Sequence, residues 1–231
     1  MINKLRTNIA EIGGFNAVLW CIGRGFQRLG VPIRFVRYYF VAQPVPDAPV
    51  LGPRRGRTIA VRQMAPGDPA FAQLPLTQDV LDFRFGQNGV CFGAFDAEGR
   101  VLGCLWFCFG AYREDEVRCV YRLEPAAAVS WDFDVYVRPE ARGGFAFLRL
   151  WDDANAYLRS RGVAWSLSRI SAFNPGSLAA HARLGARRIG AALFLVVGPL
   201  QVSFLKRAPW LHVCDAGAAG PEIAVRAPGL Q

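Results

Sequence analysis

Three groups of residues in this sequence have the types and spacing to do chemistry. The first is the run Arg138-Pro139-Glu140-Ala141-Arg142-Gly143-Gly144-Phe145-Ala146, which stands between a β-rich segment ending at Val137 and a long amphipathic segment. A strand, a glycine turn and a helix N-terminus in series gather backbone N–H groups and the positive end of a helix dipole, a combination suited to an anion such as a pyrophosphate. Glycine lets those amides approach phosphate oxygens without a Cβ in the way. The second group is Asp132 and Asp134, alternating with Trp131 and Phe133 on the strand before the loop. Strict alternation puts both carboxylates on one face. There they must be solvated, functional or ion-paired, and Arg118 and Arg122 are the candidate partners. The third group is Asn174, Ser177 and His181, along a segment that closes on Leu184-Gly185-Ala186. Asn174 or Ser177 can cap a helix there. An imidazole can donate or accept a proton near neutral pH, or simply sit on a packing helix.

Hydrophobic periodicity supplies the elements that hold these groups. Apolar residues at helical spacing predict a helix over 145–161, with Phe147, Leu150, Trp151, Ala154 and Leu158 on one face, and another over 177–184. Strands are expected over 58–63, 90–95, 101–109, 129–137, 164–170, 191–197 and 200–205, with 117–123 a strand or a loop and helical turns within 70–84. Asp96-Ala97-Glu98-Gly99 joins two of the strands as a hairpin turn, with glycine where a positive φ is easy. The tail from Ala216 is rich in Gly, Ala and Pro and reads as loose.

Charge divides the chain unevenly. Of a formal net charge of +9, residues 1–57 carry nine Lys/Arg against two acids. Residues 1–56 read as a basic arm, with a helix over 16–29 and an exit linker punctuated by Pro44, Pro46, Pro49 and Pro53. Over 31–41, Arg34 and Arg37 stand among Phe35, Tyr38, Tyr39 and Phe40, a pattern that fits an anionic membrane surface. The alternatives are an arm packed on the main domain or on a second subunit, as in a homodimer. The expected division is an arm over 1–56, a domain over 57–210 and a tail over 211–231. No apolar run is long enough to span a bilayer, and the apolar run 15–22 is too short for a secretory signal. The expected location is cytoplasmic, including the inner membrane face. Six cysteines without a paired spacing read as buried reduced thiols. Two separated histidines make a metal site an unlikely use of them. The basic arm comes with no nucleic-acid motif.

The glycine turn before one helix and the Asn-Pro-Gly-Ser opening of the next, in this order, resemble the GNAT superfamily of acyl-CoA N-acyltransferases. Gly93, Asp96, Gly99 and Gly103 lie in a hairpin similar to the one that precedes that family's cofactor strand. The resemblance covers roughly 57–205. It implies an α/β (α+β) fold with a mixed, mostly antiparallel sheet flanked by helices. It implies acetyl-CoA or a longer acyl-CoA as donor, no metal, and a small-molecule or lipid amine as acceptor. It places the cofactor along Val135 and Val137, over Arg142, Gly143, Gly144, Phe145 and Ala146, and against Asn174 and Ser177. The carboxylate that takes a proton from the amine is then Asp132 or Asp134, with Glu124 as a weaker candidate. His181 stands where the family commonly has the Tyr that protonates the departing thiolate, which implies His181 as general acid. The loop also departs from the family pattern. Aligned on Gly144 and Ala146, the usual Gln/Arg position holds Ala141; aligned on Pro139 and Arg142-Gly143, the loop is one residue short. Two other functions remain open: a non-catalytic module of the same fold, and a peripheral membrane protein acting through its arm.

Overall fold

The computed structural model describes residues 12–229. Residues 1–11 of the expected arm and 230–231 of the expected tail lie outside them. Helices among the described residues are α1 (Gly14–Arg28), α2 (Gln78–Phe85), α3 (Ala146–Ser160) and α4 (Pro175–Arg183). The strands are β1 (Ile33–Pro44), β2 (Ala60–Met64), β3 (Val90–Phe95), β4 (Val101–Cys108), β5 (Ala111–Arg113), β6 (Val120–Glu124), β7 (Val129–Val137), β8 (Trp165–Ser171), β9 (Arg187–Val197), β10 (Leu200–Leu205), β11 (Leu211–Cys214) and β12 (Glu222–Arg226). The architecture is mixed α/β, with a large, mostly antiparallel sheet flanked by helices.

Two compact units divide the chain. One takes residues 44–112 and 123–167. Its strands run β7-β4-β3-β2, with residues 165–167 of β8 beside β7. The β3–β4 hairpin closes as expected: Asp96 Oδ1 accepts from the amides of Glu98 and Arg100, and Gly99 turns at φ +78°. The α3 stripe of Leu150, Trp151, Ala154 and Leu158 is fully buried, together with Leu105, Trp106, Phe107 and Trp131 of the sheet. The expected proline linker is docked in this unit. Asp152 of α3 accepts from the amides of Val50 and Leu51 at 2.6 and 3.1 Å, and Arg159 donates to the Pro46 carbonyl. Two free amides and a carboxylate make a charge-assisted pair, stronger than neutral hydrogen bonds.

The other unit takes residues up to 43, 113–122 and from 168 onward. Its strands run β11-β10-β9-β1, followed by residues 168–171 of β8. Here the segment read as interfacial is corrected. Residues 33–44 form a strand whose register with β9 runs from Ile33↔Val197 to Ala42↔Arg187, and Tyr38, Tyr39 and Phe40 are buried. Tyr38 packs edge-on to Phe194, and Phe40 to Tyr121. Large aromatics suit a pleated, buried surface as well as a headgroup layer, and a strand partner far along the chain decides between the two. The tail is corrected too. Residues 211–214 pair with β10, and residues 222–226 form β12, a strand of a second sheet. Alternation in Glu222-Ile223-Ala224-Val225-Arg226, with Val225 buried, outweighs the surrounding Gly and Pro.

Candidate functional site

The loop before α3 is a short 3-10 turn over Pro139–Ala141 followed by Gly143 at φ +79°. A Cβ on Gly143 would meet nothing within 4 Å, so the backbone conformation alone calls for glycine there. At Gly144 a Cβ would lie 3.2 Å from the Ala141 carbonyl oxygen. No side chain caps α3, and its first intrahelical bond runs from the Arg149 amide to the Phe145 carbonyl at 2.8 Å. The amides of the first turn therefore have no acceptor inside the helix. They open on a cavity of about 720 Å³ whose walls include Gly144, Phe145 and Ala146, the cations Arg100 and Arg138, and the acids Asp96, Glu98 and Glu140 that pair with those cations. Arg138 is held by the Gln73 carbonyl at 2.6 Å. Gly56 brings three further cations to the same helix end. It sits at φ +66°, and a Cβ there would fall 2.8 Å from Arg149 Cγ and 3.1 Å from Phe145 Cβ. The exposed Arg54, Arg55 and Arg57 flank this contact. Dipole, amides and guanidinium groups all favour a polyanion at this spot.

The two aspartates of β7 do not share a face. Asp134 is opposite Trp106 and Asp132 is opposite Phe107, with a register shift between the two pairs. Directly paired residues of an antiparallel ladder lie on one side, and Trp106 and Phe107, being consecutive, point to opposite sides. The shift absorbs one residue of β7 and so reverses the alternation expected from the sequence. Asp132 is buried, accepting from Ser166 Oγ at 2.6 Å, and Ser166 in turn meets Ser130 Oγ at 3.2 Å. Asp134 is one-third exposed and pairs at 2.8 Å with the buried Arg84, whose guanidinium lies 5.2 Å from the Trp106 ring centroid. The expected partners are elsewhere: Arg122 holds Glu222, and Arg118 donates to the Pro199 carbonyl. Glu124 ends β6. Val135 and Val137 are half-buried on the last stretch of β7, paired with Leu105 and Gly103 of β4.

Asn174, Ser177 and His181 lie in the other unit. Asn174 Oδ1 accepts from the Ser177 amide at 3.0 Å and is the cap of α4. His181 is buried on the same helix, with Nδ1 3.0 Å from Gln43 Oε1 at the end of β1. A carbonyl oxygen at that distance is met by an Nδ1–H, which the imidazolium carries as well as one neutral tautomer.

Sequence reading did not find Arg84, Gln43, Ser166 or the arginines of residues 54–57. Gln43 lies 138 residues from His181, and nothing local to Arg84 points to Asp134. Five of the six cysteines, Cys91, Cys104, Cys108, Cys119 and Cys214, are buried as expected, whereas Cys21 is half-buried. Burial, with Asp132 adding to it, pushes the Cys108 thiol up to about 12, and burial raises Cys119 as well. Thiols held so far from ionisation are poor nucleophiles. Among the described residues no group of His, Cys, Asp and Glu is arranged to hold a metal ion.

No family model matches the sequence, and no curated protein matches it. Solved structures do match the fold. The tandem GNAT protein from the clavulanic acid biosynthesis pathway, without AcCoA, superposes with a TM-score of 0.52 at 14% identity, over 84% of this chain and 58% of that one. A GCN5-related N-acetyltransferase from Sphaerobacter thermophilus aligns at 17% identity and a TM-score of 0.47, over 89% of this chain and 58% of the other. The chain thus spans under two thirds of the length of either protein. The fold expected from the two motifs and the hairpin is the one found: a GNAT fold.

Proposed function

We propose that this chain is an acyltransferase that takes its acyl group from an acyl-CoA and passes it to an amine. The observation that carries this reading is the uncapped start of α3. Its amides face a cavity of about 720 Å³ walled in part by Arg100 and Arg138, and this on a GNAT fold. A pyrophosphate fits the amides, and the terminal phosphate of coenzyme A has Arg54, Arg55 and Arg57 within its reach along the same helix end.

In the chemical step the amine nitrogen attacks the thioester carbonyl carbon, the C–S bond breaks, and one proton passes from nitrogen while one is taken up by the departing sulfur. Asp134 is the carboxylate for the amine side, since it is part-exposed and ion-paired with Arg84. Asp132 is buried against Ser166 and serves the strand. The family resemblance offers His181, in the other unit, as the proton donor to sulfur; its Nδ1 lies 3.0 Å from Gln43 Oε1. A binding-only module is the second reading, and the burial of His181 favours it.

Thermal shift with acetyl-, medium-chain and long-chain acyl-CoA, followed by assay of thiol release with a panel of amines, tests both readings. A ligand at about 100 times its Kd stabilises the native state by ~2.7 kcal/mol, an easily measured shift. Stabilisation with turnover supports the enzyme; stabilisation without thiol release supports the binding module; no stabilisation by any acyl-CoA overturns both.

A further inference from the structure

One side of the sheet in the unit that holds β1 is covered at one edge and bare beyond it. Helix α1 lies on the side of β1 that carries Phe35, Arg37 and Tyr39. Asn16 Nδ2 donates to the Tyr39 hydroxyl at 2.8 Å, Arg37 donates to Asn16 Oδ1, and a Cβ on Gly23 would lie 3.7 Å from the Phe35 ring. The register carries that same side across the next three strands: Phe35↔Leu195, Leu195↔Val202, Val202↔Val213, and in parallel Leu193↔Phe204 and Phe204↔Leu211. No described element covers it there. Val197, Leu200, Phe204, Leu211 and Val213 are exposed, and Trp210, at the hairpin between β10 and β11, is 69% exposed. The helix adds to this surface. It buries Asn16, Ala17 and Leu19, while Phe15, Val18, Ile22 and Leu29, at helical spacing, stay exposed. An apolar surface of this extent marks an interaction site.

Its charge says what kind. Residues 12–43 and 187–214, which carry α1 and the strands of this face, contain no Asp or Glu, although the exposed Glu116 lines the groove of α1 and β1. They contain Arg24, Arg28, Arg34, Arg37, Arg187 and Arg188, and Lys206 with Arg207 at the hairpin beside Trp210. Arg24, Arg28, Lys206 and Arg207 are exposed around the apolar centre. We infer that this composite face, helix α1 together with β9, β10 and β11, docks on a bilayer surface bearing anionic lipid. Apolar side chains enter the headgroup boundary, cations meet the lipid phosphates, and Trp210 sits at the interface between them. A second copy of the chain fits less well. An isologous pair sets a patch against itself, and here that would bring two cationic rims together. The chain has no described helix long and apolar enough to cross a membrane, so the contact is one of lying on the surface.

Sedimentation of the full chain with vesicles tests this. On phosphatidylcholine containing about 30 mol% phosphatidylglycerol, binding should be at least tenfold tighter than on phosphatidylcholine alone, and salt near 0.5 M should remove most of the difference. Phe204→Ser with Leu211→Ser removes the apolar centre, and Lys206→Glu with Arg207→Glu reverses an exposed corner of the rim. Either pair should weaken binding about tenfold with the melting temperature of the second pair unchanged. Arg113→Glu with Arg122→Glu, on β5 and β6 away from this face, should leave binding within about twofold. An equal loss from that control pair means unspecific charge attraction and overturns the proposal. So does a full chain that ignores anionic vesicles. So does a dimer in analytical ultracentrifugation that Phe204→Ser with Leu211→Ser disperses, since that assigns the face to a second copy.

Discussion

Two helices of this molecule begin in opposite ways. Helix α4 has its first-turn amide taken by its own chain, from Asn174 Oδ1 to the Ser177 amide at 3.0 Å. Helix α3 has no side-chain cap, a glycine at positive φ before it, and arginines along the adjoining cavity wall. A capped N-terminus has spent its donors and contributes stability. A bare one costs stability unless an outside anion satisfies it. On the proposed function the difference corresponds to two kinds of work: α3 would hold a ligand through its backbone, and α4 would offer a side chain, His181, near its other end. Each half of that assignment can be broken separately.

The largest effect is expected on α4. His181→Ala should lower turnover about a hundredfold, ~2.7 kcal/mol of transition-state stabilisation, with the affinity for coenzyme A within about twofold of the parent. Parent-like turnover in a folded variant removes His181 from the chemistry, and the comparison then reduces to one capped structural helix and one binding helix.

The mirror experiment is on α3. Gly144→Val sets a branched side chain beside the first-turn amides, and titration calorimetry should show coenzyme A bound at least tenfold more weakly, ~1.4 kcal/mol. Turnover at saturating donor should change little. If affinity holds while the fold is intact, the bare N-terminus is not the phosphate site. A smaller effect sharpens the same point. Coenzyme A lacking its 3′-phosphate should bind about threefold more weakly than coenzyme A, the scale of an exposed charge contact, and Arg54→Ser with Arg55→Ser should erase the difference. A difference that survives this pair places the phosphate elsewhere.

Local signals in the sequence were read well, and long-range ones were not. The bounds of β7 and β10, the 96–99 turn and the buried stripe of α3 follow from alternation, a turn tetrapeptide and 3.6-residue spacing, each contained in a few consecutive residues. The strand character of 33–44 depends on β9, about 150 residues on, which no window along the chain includes. The separation of Asp132 from Asp134 depends on a register shift, and a shift exists only once β4 lies beside β7. For the candidate site the split is the same. Gly143, Gly144 and Asn174 were legible because turns and caps are local chemistry. Arg84 and Gln43, the contact partners of Asp134 and His181, were not, because these contacts are tertiary. The exposed stripe of α1 is a third kind of case. Its periodicity correctly gave a helix, yet periodicity alone does not say which apolar face is covered.

The smallest effect completes the comparison of the two helices. Asn174→Ala removes the one side-chain acceptor that α4 supplies to its own first turn. Loss of such a cap costs about 1 kcal/mol, which in a chain of this size lowers Tm by roughly 2–4 °C. Because that carboxamide oxygen is engaged with the Ser177 amide, the affinity for coenzyme A should not move. The two N-termini then differ in ligand affinity: Gly144→Val weakens the ligand, and Asn174→Ala lowers Tm with no change in the ligand. The family resemblance offers Asn174 the other role, contact with the pantetheine arm, and the same variant decides between them. A fall in affinity at unchanged Tm would mean that the cap yields to the ligand on binding. In that case both helices keep their first turns for the cofactor, and the contrast drawn from their caps no longer holds.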